Sequence, residues 1–137
     1  FSLTNTFQTV GSGMLGSLKD ETDEMTFLRG VKDKLGAKVI RHTALRHKTV
    51  KRVAVCGGAG GFLLPQAISA GADIFITADY KYHEFFDADK KIVIADVGHF
   101  ESEQFTQQLL LELITEKFPN FALHLTAQST NPINYLI

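Results

Sequence analysis

Three polar clusters in this sequence follow apolar, strand-like segments, and their side chains could do chemistry. The clusters are GGAGG at residues 57–61, ADYKYH at residues 78–83 and DVGHFESE at residues 96–103. In open parallel sheets, ligands bind beyond the carboxyl ends of the strands. We therefore expect the three clusters to meet at one edge of a sheet and to form one functional site.

The third cluster contains two candidate metal ligands, His99 and Glu103. His99 follows the end of a strand, and Glu103 lies four residues further on, in the first turn of a predicted helix. Imidazole and carboxylate ligands suit zinc, manganese, iron or nickel. Two ligands do not complete a site, because catalytic zinc takes three protein ligands and a water. A solvated helix start is the alternative interpretation, and Glu101 is a rival to Glu103.

The second cluster offers groups that could transfer protons. Asp79 and His83 could donate or accept protons near a substrate at the same edge of the sheet, which makes them candidate catalytic residues. A polar surface turn is the alternative. Asp96, at the end of the next strand, is the kind of acid that hydrogen-bonds a neighbouring loop or supports a metal ligand from behind.

The glycine cluster could bind the phosphate of a cofactor. Glycines between a strand and a helix, here Gly58 and Gly60, allow backbone N–H groups to approach an anion. The third glycine of a dinucleotide fingerprint would fall at Leu63, so that fingerprint fails. Asp79 nevertheless lies about 20 residues further on, where the ribose-binding acid is expected. A tight turn, a phosphate site and a nicotinamide site all remain open.

Alternating helical and strand-like patterns must position these clusters. Acidic residues and a threonine at positions 20–23 offer N-caps for a helix, and the apolar positions Leu28, Val31 and Leu35 predict that it continues to a stop at Gly36. Strand-like segments are residues 37–44, 52–56, 73–78, 92–97 and 121–126, and further helices are predicted at residues 62–70, 82–88 and 102–118. This order predicts an α/β fold with a mainly parallel or mixed sheet of about four strands and helices on both faces.

Composition bounds the domain organisation and the partners. Residues 1–19 are rich in Gly, Ser and Thr and predict a linker, followed by one α/β domain at residues 20–137. The net charge of −1 gives no reason to expect nucleic acid or membrane as a partner. Cys56 alone cannot form an internal disulfide. We expect a cytoplasmic protein, and the first residue, Phe1, suggests a processed chain or a piece of a longer one.

Three blocks carry a family resemblance that covers nearly the whole chain. They are VAVCGGAG at residues 53–60, GADIFITADYKYH at residues 71–83 and GHFESE at residues 98–103. Together they resemble the C-terminal domain of the NIF-three-like dinuclear metal centre family, and GSGMLG at residues 11–16 is similar to the segment that leads into that domain. One departure is Ala78, where the family usually has glycine.

The resemblance implies a fold of two intertwined α/β repeats that share a pair of divalent metal ions. The second repeat would contribute His99 and Glu103, rather than Glu101, to the metal pair. The first repeat would contribute a His-His pair and an aspartate, and this chain has no His-His pair. We therefore expect this chain to be one half of the fold, to bind metal weakly or not at all by itself, and to be inactive alone.

The resemblance also implies two alternative functions. Family members often carry the name type-two GTP cyclohydrolase I, which implies a metal-dependent hydrolase with a nucleotide-like substrate. The alternative is a non-catalytic interaction or regulatory module, since the family resembles ring-shaped homo-oligomers. Exposed apolar residues such as Phe1, Phe7 and those at 135–137 could then form the contacts.

Overall fold

A computed structural model describes residues 11–136, and they form a five-stranded mixed sheet with helices on both faces. The strands are β1 (Met14–Asp23), β2 (Arg41–His42), β3 (Thr49–Ala59), β4 (Ile74–Ala78) and β5 (Val93–Asp96). The helices are α1 (Glu24–Leu35), α2 (Leu64–Ser69), α3 (His99–Glu103) and α4 (Thr106–Lys117), with 3-10 segments at Gly61–Leu63 and Tyr82–Ala88.

The sheet has the order β1-β3-β4-β5-β2. The three central strands are parallel, whereas β1 pairs antiparallel with β3 and β2 pairs antiparallel with β5. The predicted α/β class with a mainly parallel or mixed sheet is thus confirmed, and the sheet has one strand more than expected. The carboxyl ends of β3, β4 and β5 lie at one edge, which is where the polar clusters follow.

Both faces of β4 and β5 are largely buried, which explains their continuous apolar runs. Along β4, Ile74 contributes to the core against α1, and the next residue, Phe75, contributes to the core on the opposite face with α2. On β5, Val93 and Ile94 divide between the two cores in the same way. This alternation fixes the pairing of β4 and β5, because a shift by one residue would exchange the faces.

Helix α1 begins and ends where the sequence predicts. The side chain of Asp23 caps the helix, since its carboxylate accepts a hydrogen bond from the backbone N–H of Thr26 at 2.9 Å. Gly36 follows the helix with a φ of 62°, and its N–H donates to the carbonyl groups of Asp33 and Lys32. A left-handed residue at this position is the usual reason that glycine ends a helix.

The predicted linker and two of the predicted strands differ in the structure. Strand β1 begins at Met14, so the last part of the predicted linker at residues 1–19 belongs to the sheet, and residues 1–10 lie outside the described part. Only Arg41–His42 of the segment 37–44 pairs as a strand. Residues 121–126 form no strand, because β2 rather than this mostly exposed segment occupies the edge beside β5.

The predicted long helix at residues 102–118 is two helices. Ser102 lies inside α3 and does not cap a helix, because its hydroxyl donates to the carbonyl of His99 at 2.8 Å. Helix α4 starts only at Thr106, and Phe118 ends it as predicted. Within residues 11–136, no helix has the length and apolar character that a bilayer crossing would need.

Candidate metal centre

The ends of β3, β4 and β5 bring four of the predicted site residues together. Gly58 lies near the end of β3, Asp79 follows β4, and His99 and Glu103 are the first and last residues of α3, which follows β5. The side chain of His99 lies between those of Asp79 and Glu103 and is within hydrogen-bonding distance of both. The expected meeting of the polar clusters at one edge is therefore present.

His99 uses both of its ring nitrogens in this cluster. Its Nδ1 lies 2.6 Å from Oδ2 of Asp79, and its Nε2 lies 3.1 Å from Oε2 of Glu103. When Nδ1–H donates to Asp79, the lone pair of Nε2 is left on the side of Glu103. The hydrogen bond with Asp79 raises the pKa of His99 above its ordinary value, against a smaller opposing effect of burial, and Glu103 adds to the rise.

These groups fit a divalent ion that two residues of the chain would hold. Metal bonds of about 2.0–2.2 Å place two ligand atoms of one ion about 3 Å apart. The 3.1 Å between Nε2 of His99 and Oε2 of Glu103 matches that spacing. Asp79, on the other nitrogen, stands where a carboxylate orients a metal-bound histidine. No group of three or more His, Cys, Asp or Glu side chains in residues 11–136 is arranged to hold a metal.

Gly58 leaves room for the side chains of His99 and Glu103. Its φ is +61°, and a Cβ at this position would lie 2.5 Å from Oε1 of Glu103 and 3.1 Å from Cε1 of His99. A larger residue would therefore enter the site as well as adopt a left-handed backbone that side chains disfavour. The sequence indicated Gly58 as a functional residue, but for anion binding rather than for this clearance.

The structure does not support the predicted cofactor-binding role of Gly58 and Gly60. The N–H of Gly58 donates to the Ser102 hydroxyl, and the N–H of Gly60 donates to the Thr77 hydroxyl, both at 2.9 Å. Neither amide is thus free to bind a phosphate. Close packing accounts for Gly60, because a Cβ there would lie 2.5 Å from Oγ1 of Thr77 and 2.6 Å from Cβ of Cys56.

Thr77 is a residue that the sequence patterns missed. Its side chain is fully buried at the end of β4, accepts the Gly60 N–H and donates to the Gly58 carbonyl at 2.9 Å. Through these two bonds it fixes the course of β3 beside the site. A hydroxyl residue in an otherwise apolar strand, next to glycines on the neighbouring strand, was the signal that could have revealed it.

Asp96 positions the two turns that carry Asp79 and His99. Its buried carboxylate accepts hydrogen bonds from the N–H of Tyr80 at 3.0 Å and from the N–H of Gly98 at 3.1 Å, and it forms an ion pair with Arg41. Tyr80 directly follows Asp79, and Gly98 directly precedes His99. Asp96 therefore bonds adjacent loops, as expected for an acid at the end of a buried strand.

A comparison of sequences places this chain in a family. The profile of the family described as Duf34/NIF3 (NGG1p interacting factor 3) matches residues 2–132. The chain belongs to the Duf34/NIF3 family. The resemblance that the three sequence blocks indicated is thereby confirmed.

Relatives and solved structures agree with this assignment. The chain is 36% identical to the GTP cyclohydrolase 1 type 2 homolog of Campylobacter jejuni over 77% of its own length and 42% of the relative's. It is 30% identical to the homolog of Staphylococcus epidermidis over 91% of its length and 35% of the relative's. A Bacillus cereus protein related to NIF3 superposes with a TM-score of 0.77 and 32% identity, covering 92% of this chain and 36% of the other. The chain thus spans well under half the length of these relatives.

The structure of this Duf34/NIF3 chain also shows which of the other predicted site residues lie beside His99. Glu101 is buried beneath Gly98 and does not face His99, so Glu103 is the acid beside the imidazole. His83 is exposed on the 3-10 segment Tyr82–Ala88 and is not part of the cluster. Asp79 is bonded to His99, which favours an orienting role for Asp79 over independent proton transfer.

Proposed function

We propose that this chain supplies His99 and Glu103 as ligands of a divalent metal pair in a metal-dependent hydrolase with a nucleotide-like substrate. The observation that supports it most is the position of the His99 ring. Nδ1 is bonded to Asp79, and Nε2 lies 3.1 Å from a second carboxylate at the edge of the sheet where α/β proteins bind ligands. The names of the Campylobacter and Staphylococcus relatives support a nucleotide-like substrate.

Each residue of the cluster has a separate task in this proposal. His99 and Glu103 hold the ion, Asp79 keeps the Nε2 lone pair of His99 directed at it, and Gly58 keeps the space open. Zinc, iron, manganese and nickel all suit this ligand chemistry. A bound ion would supply a Lewis acid and an activated water for hydrolysis.

Two side-chain ligands give this chain a low affinity for metal by itself. Structural zinc sites use four protein ligands and catalytic ones three, and two ligands alone bind an ion more weakly. The chain spans 35–42% of the length of the Campylobacter and Staphylococcus relatives, and we expect the remaining metal ligands to come from residues beyond those described. We expect the chain after dialysis to retain less than one metal ion per molecule in elemental analysis.

An assay of the complete natural protein, rather than of this chain alone, tests the hydrolase proposal. Hydrolysis of nucleoside triphosphates is measured with added Mn²⁺ or Zn²⁺ for the wild type, for His99→Ala and for the control His124→Ala, whose residue is exposed and takes no part in the contacts among Asp79, His99 and Glu103. We expect His99→Ala to abolish the metal-dependent activity and His124→Ala to preserve it. Unchanged activity in His99→Ala would contradict the hydrolase role of this site.

The surface of α4 favours a second candidate, an interaction module that forms homo-oligomers. None of the residues of α4 is buried, and its apolar side chains Leu109, Leu110 and Leu113 are each more than half exposed. Of the contact residues that the sequence suggested, Leu136 is exposed, whereas Phe1, Phe7 and Ile137 lie outside the described residues. Light scattering of Leu109→Lys and Leu113→Lys tests assembly, and a monomeric variant that keeps its hydrolysis rate would separate the two functions.

A further inference from the structure

We propose that the cavity beside His99 binds an uncharged, hydrogen-bonding heterocycle of the nucleobase type, and that in the absence of metal it does not bind a phosphate chain. This inference rests on the proposed function and specifies which part of a nucleotide-like substrate this chain contacts. Three observations carry it: the place of the cavity, its lack of lysine and arginine, and the amide groups that line it.

The cavity opens directly from the candidate metal ligands. It has a volume of about 540 Å³ and lies between α3, the start of α4 and the segment at residues 128–133. Small-molecule sites usually have volumes of roughly 300–1,000 Å³. Besides His99 and Glu103, the lining includes Phe100, Gln104, Gln107, Gln128, Asn131 and Pro132. A ligand in this cavity would have one end next to the ion that His99 and Glu103 hold.

The charges around the cavity do not suit a phosphate chain. Its lining contains no lysine or arginine, and Glu103 contributes a negative charge. A second cavity of about 540 Å³ adjoins Asp79 and includes Lys81, but that ammonium group lies 3.8 Å from Glu84, and Asp87 also lines the wall. Arginine, lysine and free backbone N–H groups are the usual protein ligands of phosphate, and the cavity beside His99 offers a phosphate chain neither lysine nor arginine.

The lining does suit the edge of a heterocyclic ring. The carboxamides of Gln107 and Gln128 are exposed in the lining, and each presents donors and an acceptor. Asn131 accepts the N–H of Ile133 at 3.0 Å through Oδ1, which leaves its NH₂ group free to donate. Phe100 and Pro132 add apolar surface against which a planar ring can pack.

Calorimetric titration of the chain with guanosine, GTP and inorganic triphosphate tests this inference, with EDTA present to remove metals. We expect guanosine to bind at least as tightly as GTP and inorganic triphosphate not to bind. Gln107→Leu should weaken guanosine binding roughly tenfold, whereas Gln108→Leu, next to it on α4 but outside the cavity, should not. Tenfold tighter binding of GTP than of guanosine, competition by inorganic triphosphate, or no guanosine binding at millimolar concentration would overturn it.

The design distinguishes this inference from the metal proposal. Because EDTA is present, guanosine binding does not depend on an ion at His99. Separate titration with Mn²⁺, without nucleoside, reports the metal site alone. Manganese binding without guanosine binding would refute only the cavity inference, whereas guanosine binding together with unchanged hydrolysis in His99→Ala would refute only the metal proposal.

Discussion

Oδ2 of Asp79 lies 2.6 Å from Nδ1 of His99, and this contact joins the turn after β4 to the first residue of α3. It determines which nitrogen of His99 carries the proton, and hence which nitrogen can bind a metal. Asp79 adopts a φ of +58°, a conformation that is uncommon for residues other than glycine and is enriched at functional sites. The backbone at Asp79 thus accepts strain that places its carboxylate beside His99.

Asp79→Asn should lower the pKa of His99. The hydrogen bond with the Asp79 carboxylate is the largest cause of the raised pKa, and an amide cannot stabilise the imidazolium in the same way. Histidine proton shifts in an NMR titration measure this directly. A pKa of His99 that is the same in the wild type and in Asp79→Asn would show that Asp79 does not control the ring.

The same contact predicts how stability depends on pH. Because folding raises the pKa of His99 above 6.5, protonated His99 stabilises the folded chain below that pH, and this contribution is lost as the pH rises through the raised value. Urea unfolding of the wild type and Asp79→Asn should therefore differ more at pH 5.5 than at pH 9. If the difference in unfolding free energy between the two proteins increased with pH, it would contradict this prediction. Since His99 is half exposed, we expect a small effect.

Gly58→Ala should destabilise the chain by about 1–2 kcal/mol, since a left-handed conformation disfavours alanine. The new Cβ would also lie 2.5 Å from Oε1 of Glu103 and displace that carboxylate. Gly30→Ala is the matched control, because a Cβ at Gly30 meets nothing within 4 Å and helix α1 gains about 0.5–1 kcal/mol. Chemical denaturation measures both, and equal stabilities of the two variants would refute the clearance role of Gly58.

Thr77→Val should lower the free energy of unfolding by about 1–3 kcal/mol, because it leaves the buried Gly60 N–H and Gly58 carbonyl without their partner. The side chains are similar in shape, so packing changes little. Thr115→Val, at an exposed position on α4, is the control and should stay within about 0.5 kcal/mol of the wild type. If the two variants lose the same stability, Thr77 does not fix the end of β3.

The sequence predicted the elements whose signals are local. The cap at Asp23, the stop at Gly36 and the buried strands β4 and β5 all follow from residue types and periodicity within one segment. Pairing depends on distant residues and was harder to predict. The short strand at Arg41–His42 exists because β5 lies beside it, and the segment at residues 121–126 has strand-like residues without a partner strand.

The candidate site shows the same division between local and distant information. The order of strands and polar clusters predicted that His99, Glu103 and Asp79 would meet, because the carboxyl ends of parallel strands share an edge. The tasks of the glycines could not be predicted, since they depend on which side chains from other elements take up their N–H groups. Ser102 and Thr77 do so here: Ser102 carries no sequence signal for that contact, and Thr77 is marked only as a hydroxyl residue in an apolar strand.

Paramagnetic broadening by Mn²⁺ tests most directly whether His99 and Glu103 hold a metal, because it detects weak binding in the chain itself. Substoichiometric Mn²⁺ is added to the labelled chain, and amide signals are compared with those of His99→Ala and of the control His124→Ala. We predict broadening around Gly58, Asp79 and residues 99–103 in the wild type and the control, and its loss in His99→Ala. Broadening that persists in His99→Ala, or that is confined to other parts of the chain, would contradict the account.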